Sequence, residues 1–325
     1  MSGGPDVDLS GAPPRAWRVP VERPAPAAGR RRALPFLLFG LTFLTTTLAG
    51  MAWAVGAIDP IQELMVLFGV VTGQLPGTLL LSGIPYALAL LGFFLAHEMG
   101  HYLTCRHYGL KASLPHFIPV PFGFGTFGAV IRIRSAFPDR RTLFDVGIAG
   151  PLAGLPVALA AVVWGLLTAD VVSPAPLQSG GLWFGDSLLT LLLEHVLRPD
   201  AAGGELMVGP VFIAGWLGLV ATAINLSPAG QLDGGHVLYA VFPHWHRAAS
   251  LASGLFFASL VITRAVVWGQ FSPWALWAVI LLVFCRRHPP VPDGRPLGPG
   301  RVALGLFSLL LFVLIFVPAP LEIAQ

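Results

Sequence analysis

From Leu79 to Arg106 the chain is apolar for long enough to cross a bilayer as one helix, yet near the end of that run stand His97, Glu98 and His101. The local text is LGFFLAHEMGHYLTCRHY, Leu91–Tyr108. On a helix, positions four apart share one face, so His97 and His101 can offer ring nitrogens to a single metal ion. Glu98 follows directly, placed to take a proton from a water that the metal polarises. Five letters can recur by chance. Ionisable side chains at membrane depth are costly, however, and a Glu between two His in an apolar helix needs a reason that a metal supplies.

Composition agrees with a membrane setting. Of 325 residues, 55% are hydrophobic and 11% charged, with mean hydropathy +0.76, against roughly 25% charged in a soluble domain. The fold class expected is an all-α polytopic membrane protein. Lys111 is the one lysine among 19 basic residues, and the arginines gather at span ends, so nothing points to nucleic acid. Cys105 and Cys285 lie in or beside apolar stretches without ligand spacing to a partner, and read as buried thiols.

In order, the chain divides into four parts. Residues 1–33 are rich in Pro, Gly, Ala and Arg without apolar periodicity, and are expected to be a disordered cytoplasmic tail rather than a signal peptide. Residues 34–78 hold a first span, about Leu34–Ala57, and a mildly amphipathic segment, Ile61–Gly73, expected at the membrane interface. Residues 79–243 form a core. It contains the second span, a Pro- and Gly-broken stretch (Ser113–Ser135), and a third span (Thr142–Leu167) carrying Gly147, Gly150, Pro151 and Gly154. A polar loop follows, Asp170–Gly209, with a short helix over Leu182–Leu197 in which Glu194 and His195 read as solvated. Then comes an apolar run, Gly209–Phe242, that starts as a span and breaks. Residues 244–325 add three apolar stretches, Trp245–Trp268, Pro273–Cys285 and Arg301–Val317, of which Pro273–Cys285 is short for a span and reads as tilted or half-buried. The count is seven spans, with six or eight also compatible, and no internal repeat.

Within Ser113–Ser135, the segment Ala129–Ser135 alternates apolar and polar like a half-exposed strand. Irregular backbone at membrane depth persists only where protein or a wet cavity covers it. A re-entrant β-hairpin beside the site is expected, with a plain cytoplasmic loop as the alternative. Small residues in the third span allow it to approach the second closely.

Two histidines do not complete a hydrolytic zinc site, which commonly takes three protein ligands and leaves one position open. Residues 225–236 read NLSPAGQLDGGH. Asp233 is the acid of this otherwise apolar fourth span, and Pro228, Gly230, Gly234 and Gly235 loosen the helix around it. Asp233 as the oxygen ligand gives a His2Asp set. His236 competes, one turn further on, but an unpaired buried carboxylate costs more than a neutral imidazole, which favours Asp233. Asn225 offers an amide that either holds a carbonyl or developing oxyanion, or satisfies backbone groups freed by Pro228.

The two motifs, His-Glu-Met-Gly-His at 97–101 and Asn225-x-x-Pro228-x-x-x-x-Asp233-Gly234, together resemble the site-2 protease family of intramembrane zinc metalloproteases, peptidase family M50. Phe124–Gly154, FGTFGAVIRIRSAFPDRRTLFDVGIAGPLAG, is similar to the membrane hairpin and G-P-x-x-G helix of members without a PDZ domain, and nothing between the third and fourth spans is long or strand-rich enough for one. The resemblance covers about Leu79–Phe242. It implies Zn2+ held by His97, His101 and Asp233, Glu98 as general base, Asn225 near the substrate, and transmembrane segments of membrane proteins as the partners that are cut. Two other readings stay open. One is a transporter or channel with His97, Glu98 and Asp233 on a proton or metal path. The other is a silent relative that binds membrane segments without cutting them.

Orientation follows the arginines. The tail, Arg106–Arg141, Arg247 and the Arg286–Arg301 linker fall on one side under a seven-span count, with Arg198 and Arg264 as exceptions. That side is expected to be cytoplasmic, with the site open towards it. Arg-for-Lys usage and richness in Ala and Gly point to a bacterial inner membrane.

Overall fold

A computed structural model describes residues 30–57, 59–172, 182–202, 204–283, 288–292 and 296–323. Of the tail expected to be disordered over residues 1–33, residues 1–29 lie outside the described residues, as does Cys285, and residues 30–33 instead belong to the first helix. Helix α1 (Arg30–Ala54) is the first apolar run. Helix α2 (Pro60–Val71) is capped by Asp59, which accepts from the Ile61 and Gln62 N–H groups. At twelve residues it is too short to cross, and Ile61, Leu64, Met65, Phe68 and Val71 are exposed along it. Helix α3 (Leu79–His107) carries the His-Glu motif, and α4 (Arg140–Leu167) starts at Asp139, whose carboxylate accepts from the Thr142 N–H at 2.7 Å. Next come α5 (Leu188–Leu197), α6 (Pro210–Leu226), α7 (Asp233–Val241), α8 (His246–Trp268), α9 (Trp274–Val283) and α10 (Pro299–Ile315).

Four of these helices are long and apolar enough to span: Ala33–Ala54 within α1, then α3, α4 and α8. The expected fourth span is instead two helices, α6 and α7. Ser227 leaves the helical region at ψ 130, and Gly230 turns at φ 55. The stretch expected around Pro273 forms α9, only ten residues long, turned back by Gly269 at φ 64 so that Gly254 of α8 meets Leu282.

The strands differ from expectation. The hairpin pairs β1 (His116–Pro119) with β2 (Thr126–Val130), antiparallel, with His116 opposite Val130. The regular strand therefore takes in only Ala129 and Val130 of the alternating Ala129–Ser135 segment. Beyond Val130 the pairing is reduced to a bridge, Ala112 with Ile133, where the Ser113 N–H donates to the Arg132 carbonyl while the Arg132 N–H donates to Ser113 Oγ. The helix expected over Leu182–Leu197 begins only at Leu188, where Ser187 and Thr190 cap each other reciprocally. Its first part is β4 (Leu182–Phe184), paired with β6 (Leu321–Ile323), and β3 (Asp170–Val172) pairs with β5 (Glu205–Met207).

The core is organised on α4, which packs against α3, α6 and α7. Phe93, Phe144, Ile148, Val162, Trp216 and Leu219 lie buried where these helices meet. Backbone approach is very close. A Cβ at Gly100 would fall 2.4 Å from the Ala149 carbonyl oxygen, and one at Gly83 would fall 1.9 Å from that of Thr47, joining α3 to α4 and to α1. The hairpin lies along α3. Its base, Ala112 and Ile133, packs on the cluster of Cys105, Gly128 lies against Phe94, and the Phe124 carbonyl at its tip accepts from Tyr86 Oη. Thr45 Oγ1, Trp53 Nε1 and the Glu63 carboxylate hold the tip at Gly125 and Gly123. Arg198, an exception to the charge asymmetry, is placed by geometry instead: its Nη1 donates to the Leu166 and Ala169 carbonyls at the end of α4, 2.6 Å each.

Gly83→Ala should force α1 away from α3 and destabilise by an overpacking cost of about 1–3 kcal/mol. Gly40→Ala, whose Cβ meets nothing within 4 Å, should stabilise slightly. Thermal unfolding of the two variants in detergent checks the contrast.

Candidate metal centre

His97 and His101 project from one face of α3, one turn apart, as the spacing requires. Both are buried. Asp233 meets them from the first turn of α7. Its approach depends on two glycines: a Cβ on Gly234 would sit 2.0 Å from the Leu226 carbonyl oxygen, and one on Gly235 2.5 Å from that of Ala229. Only bare backbone lets α7 start so tightly against the end of α6.

The three side chains share one point. His97 Nε2 is 3.1 Å from His101 Nε2, and Asp233 Oδ2 is 3.3 Å from each. Ligand atoms 2.0–2.1 Å from a tetrahedral zinc are themselves roughly 3.3–3.4 Å apart. The group therefore has the size of a zinc site, and among the described residues it is the one set of three or more His, Cys, Asp or Glu with metal-binding spacing. The donor chemistry also fits. His101 Nδ1 lies 2.7 Å from the Val146 carbonyl oxygen, which can only accept, so Nδ1 holds the proton and Nε2 keeps a lone pair.

Helix α4 forms the floor. A Cβ at Gly150 would lie 2.1 Å from His101 Nε2, and one at Gly154 3.2 Å from His97 Cβ. A Cβ at Gly147 would lie 3.3 Å from the Asp233 carbonyl oxygen. The small residues of the third span thus make room for the metal-binding rings as well as for helix contact.

Glu98 is buried beside the pair, with the Ile131 backbone just past β2 close to its carboxylate. Asn225 Nδ2 is 3.4 Å from His97 Nε2. The competing candidate His236 is turned away, its Nδ1 2.8 Å from His288 Nε2. His195 is exposed and Glu194 half-buried on α5, as expected of solvated residues. Cys105 is a buried free thiol. Sequence reasoning missed Val146, which acts through a backbone carbonyl that no side chain advertises. It also missed His246 and His288, which flank α7 outside either motif.

Fold and site together define a class: a helical membrane protein in which two histidines and an aspartate are positioned to hold a metal ion, with a buried glutamate alongside. The family model for peptidase family M50 matches residues 85–263, and the chain belongs to that family. Its relatives include "Probable zinc metalloprotease EGY1, chloroplastic" of Oryza sativa subsp. japonica, 34% identical over 343 residues, covering 99% of this chain and 56% of that protein. The protein of the same name from Arabidopsis thaliana is 32% identical over 321 residues, covering 95% of this chain and 57% of the relative. "Probable zinc metalloprotease EGY2, chloroplastic" of Arabidopsis thaliana is 32% identical over 248 residues, 74% of this chain and 43% of the relative. The chain thus spans little more than half the length of the EGY1 relatives. These relatives are chloroplastic by name, so they give no support to the expected bacterial inner membrane.

Gly150→Ala should push the His101 ring out of place, because the Val146 carbonyl pins its other nitrogen, and zinc content should fall to a small fraction of wild type. Gly92→Ala, on α3, meets only Val157 Cγ1 at 3.7 Å and should keep its zinc. Metal analysis of the purified proteins distinguishes them.

Proposed function

We propose that this chain is an intramembrane zinc metalloprotease that hydrolyses peptide bonds within or near transmembrane segments of membrane proteins. The observation that carries the reading is the meeting of His97, His101 and Asp233 at zinc-sized separations, with Glu98 adjacent, in a chain of peptidase family M50. His97, His101 and Asp233 would hold the metal. Zinc, when bound, supplies polarisation of the scissile carbonyl and acidification of a water. Glu98 takes the proton from that water and returns it to the leaving amine. Asn225, beside His97, is placed to donate from its amide to a substrate carbonyl.

A helical substrate hides its peptide bonds in i to i−4 hydrogen bonds and must unwind before a carbonyl reaches the centre. The segment past β2, irregularly paired on its β1 side, offers an edge against which an extended stretch can lie. We read the hairpin as re-entrant. Its contacts follow α3 from Cys105 to Tyr86, roughly 28 Å at 1.5 Å per residue, close to the depth of the hydrocarbon core.

We read seven crossings, with α6 and α7 counted as one broken span. The ends that meet support this. Arg301 at the start of α10 makes a two-pronged ion pair with Asp145 at the start of α4, both bonds 2.7 Å, and Tyr108 after α3 donates to the same carboxylate. At the other end of α10, the Pro320 carbonyl accepts from the Gly185 N–H ahead of α5. The side holding Arg106–Arg141 and the site is the one that the arginines assign to the cytoplasm or its equivalent. A transporter would use buried ionisable groups too, but it has no need of a glutamate flanked by two histidines at zinc spacing.

Glu98→Gln should retain zinc while cleavage of a transmembrane substrate, co-reconstituted in liposomes, falls about a hundredfold or more. Cleavage at the wild-type rate would overturn the base assignment. Comparing membrane proteomes of cells carrying wild-type and Glu98→Gln protein would name the substrates.

A further inference from the structure

Asp233 opens a helix of nine residues, and so short a helix has little stability of its own. Its placement is fixed from outside, at two points. On the loop side, both backbone groups of Gly230 are held from α8. The N–H donates to Ser250 Oγ at 3.0 Å, and the carbonyl accepts from His246 Nε2 at 2.9 Å. On the helix side, His288 reaches over from the segment that follows α9. Its Nδ1 lies 2.6 Å from the Pro289 carbonyl oxygen, so Nδ1 carries the proton and Nε2 is left to accept from His236 Nδ1 at 2.8 Å. The His288 ring stacks on Tyr239 with centroids 4.2 Å apart and planes 17° from parallel. His246 packs edge-on against both of these rings, at 5.5 and 5.6 Å. Helix α4 closes the third side, since a Cβ at Gly147 would fall 2.9 Å from His236 Cβ.

We propose that His246 and His288 are positioning residues for the metal centre: they hold α7 at its leading loop and along its first turns, and so keep Asp233 in register with His97 and His101. The proposal rests on reading Asp233 as a ligand. It gives a task to His288, which lies beyond the residues that the family model matches.

The test uses the full chain purified in detergent, with zinc affinity read by competition against a chromogenic chelator and with thermal unfolding of the chelator-stripped protein in parallel. His288→Ala should weaken zinc binding by up to about 10-fold, the lower end for loss of a ligand's direct partner, since His288 acts one residue further out through His236, with stripped-protein unfolding little changed. His288→Gln, which restores an acceptor for His236, should recover much of the affinity. His288→Phe keeps the ring on Tyr239 but accepts nothing, and should stay weak; it serves too if the alanine variant fails to fold. Wild-type zinc affinity in His288→Ala, or in His288→Phe, would overturn the proposal, as would a loss confined to the unfolding of the stripped protein. Asp233→Ala separates the two readings. If it binds zinc like wild type, the ligand assignment itself falls; if it loses zinc while His288→Ala does not, only the positioning role falls.

Discussion

Two imidazole nitrogens and a carboxylate oxygen sit within 3.3 Å of one another, with Glu98 and Asn225 alongside, in a helix bundle whose core is otherwise mostly apolar. In a low-dielectric interior such a cluster is expensive unless a cation shares it. Most of the architecture can be understood as the means of bringing those atoms together. The pair on α3 comes from helical periodicity alone. The carboxylate comes from more than a hundred residues away, and bringing it in requires the chain to break between α6 and α7.

Breaking a span frees backbone groups, and each needs a partner in the absence of water. The structure supplies them locally. Gly230 is bonded at both its N–H and its carbonyl from α8, and the Leu232 N–H donates to the Ala229 carbonyl. Close packing provides the rest. Small residues on α3, α4 and α7 let main chains approach to distances at which a methyl group would collide, and van der Waals contact of that kind is what holds helices together in lipid. The same glycines serve stability and chemistry, since Gly150 and Gly154 both receive α4's neighbours and leave room for the rings of His101 and His97.

Much of this was legible in the residues because it rests on short-range rules. The His-Glu spacing reads directly as one helical face. Pro228 with Gly230, Gly234 and Gly235 reads as a break, and the prolines and glycines of Ser113–Ser135 as irregular chain. The strand register was not legible: alternation over Ala129–Ser135 located the edge, but Ser113 competes for the backbone of Arg132, and the regular pairing falls earlier. The start of α5 was misplaced because Leu182–Phe184 is claimed by a partner at the far end of the chain, Leu321–Ile323. The stretch from Pro273, read as short for a span, is a ten-residue helix, α9. The Val146 carbonyl was invisible in principle, since any residue there carries the same group. His288 stood in view, but in a Pro-rich linker where a histidine reads as solvated.

The account stands or falls on whether a ring pair from α3 and an acid from α7 bind one ion together. X-ray absorption at the zinc edge of the purified, active protein addresses that directly. Two imidazoles and oxygen donors in a four-coordinate shell at about 2.0–2.1 Å are predicted. A sulfur scatterer near about 2.3 Å, or fewer than two imidazoles, would contradict it.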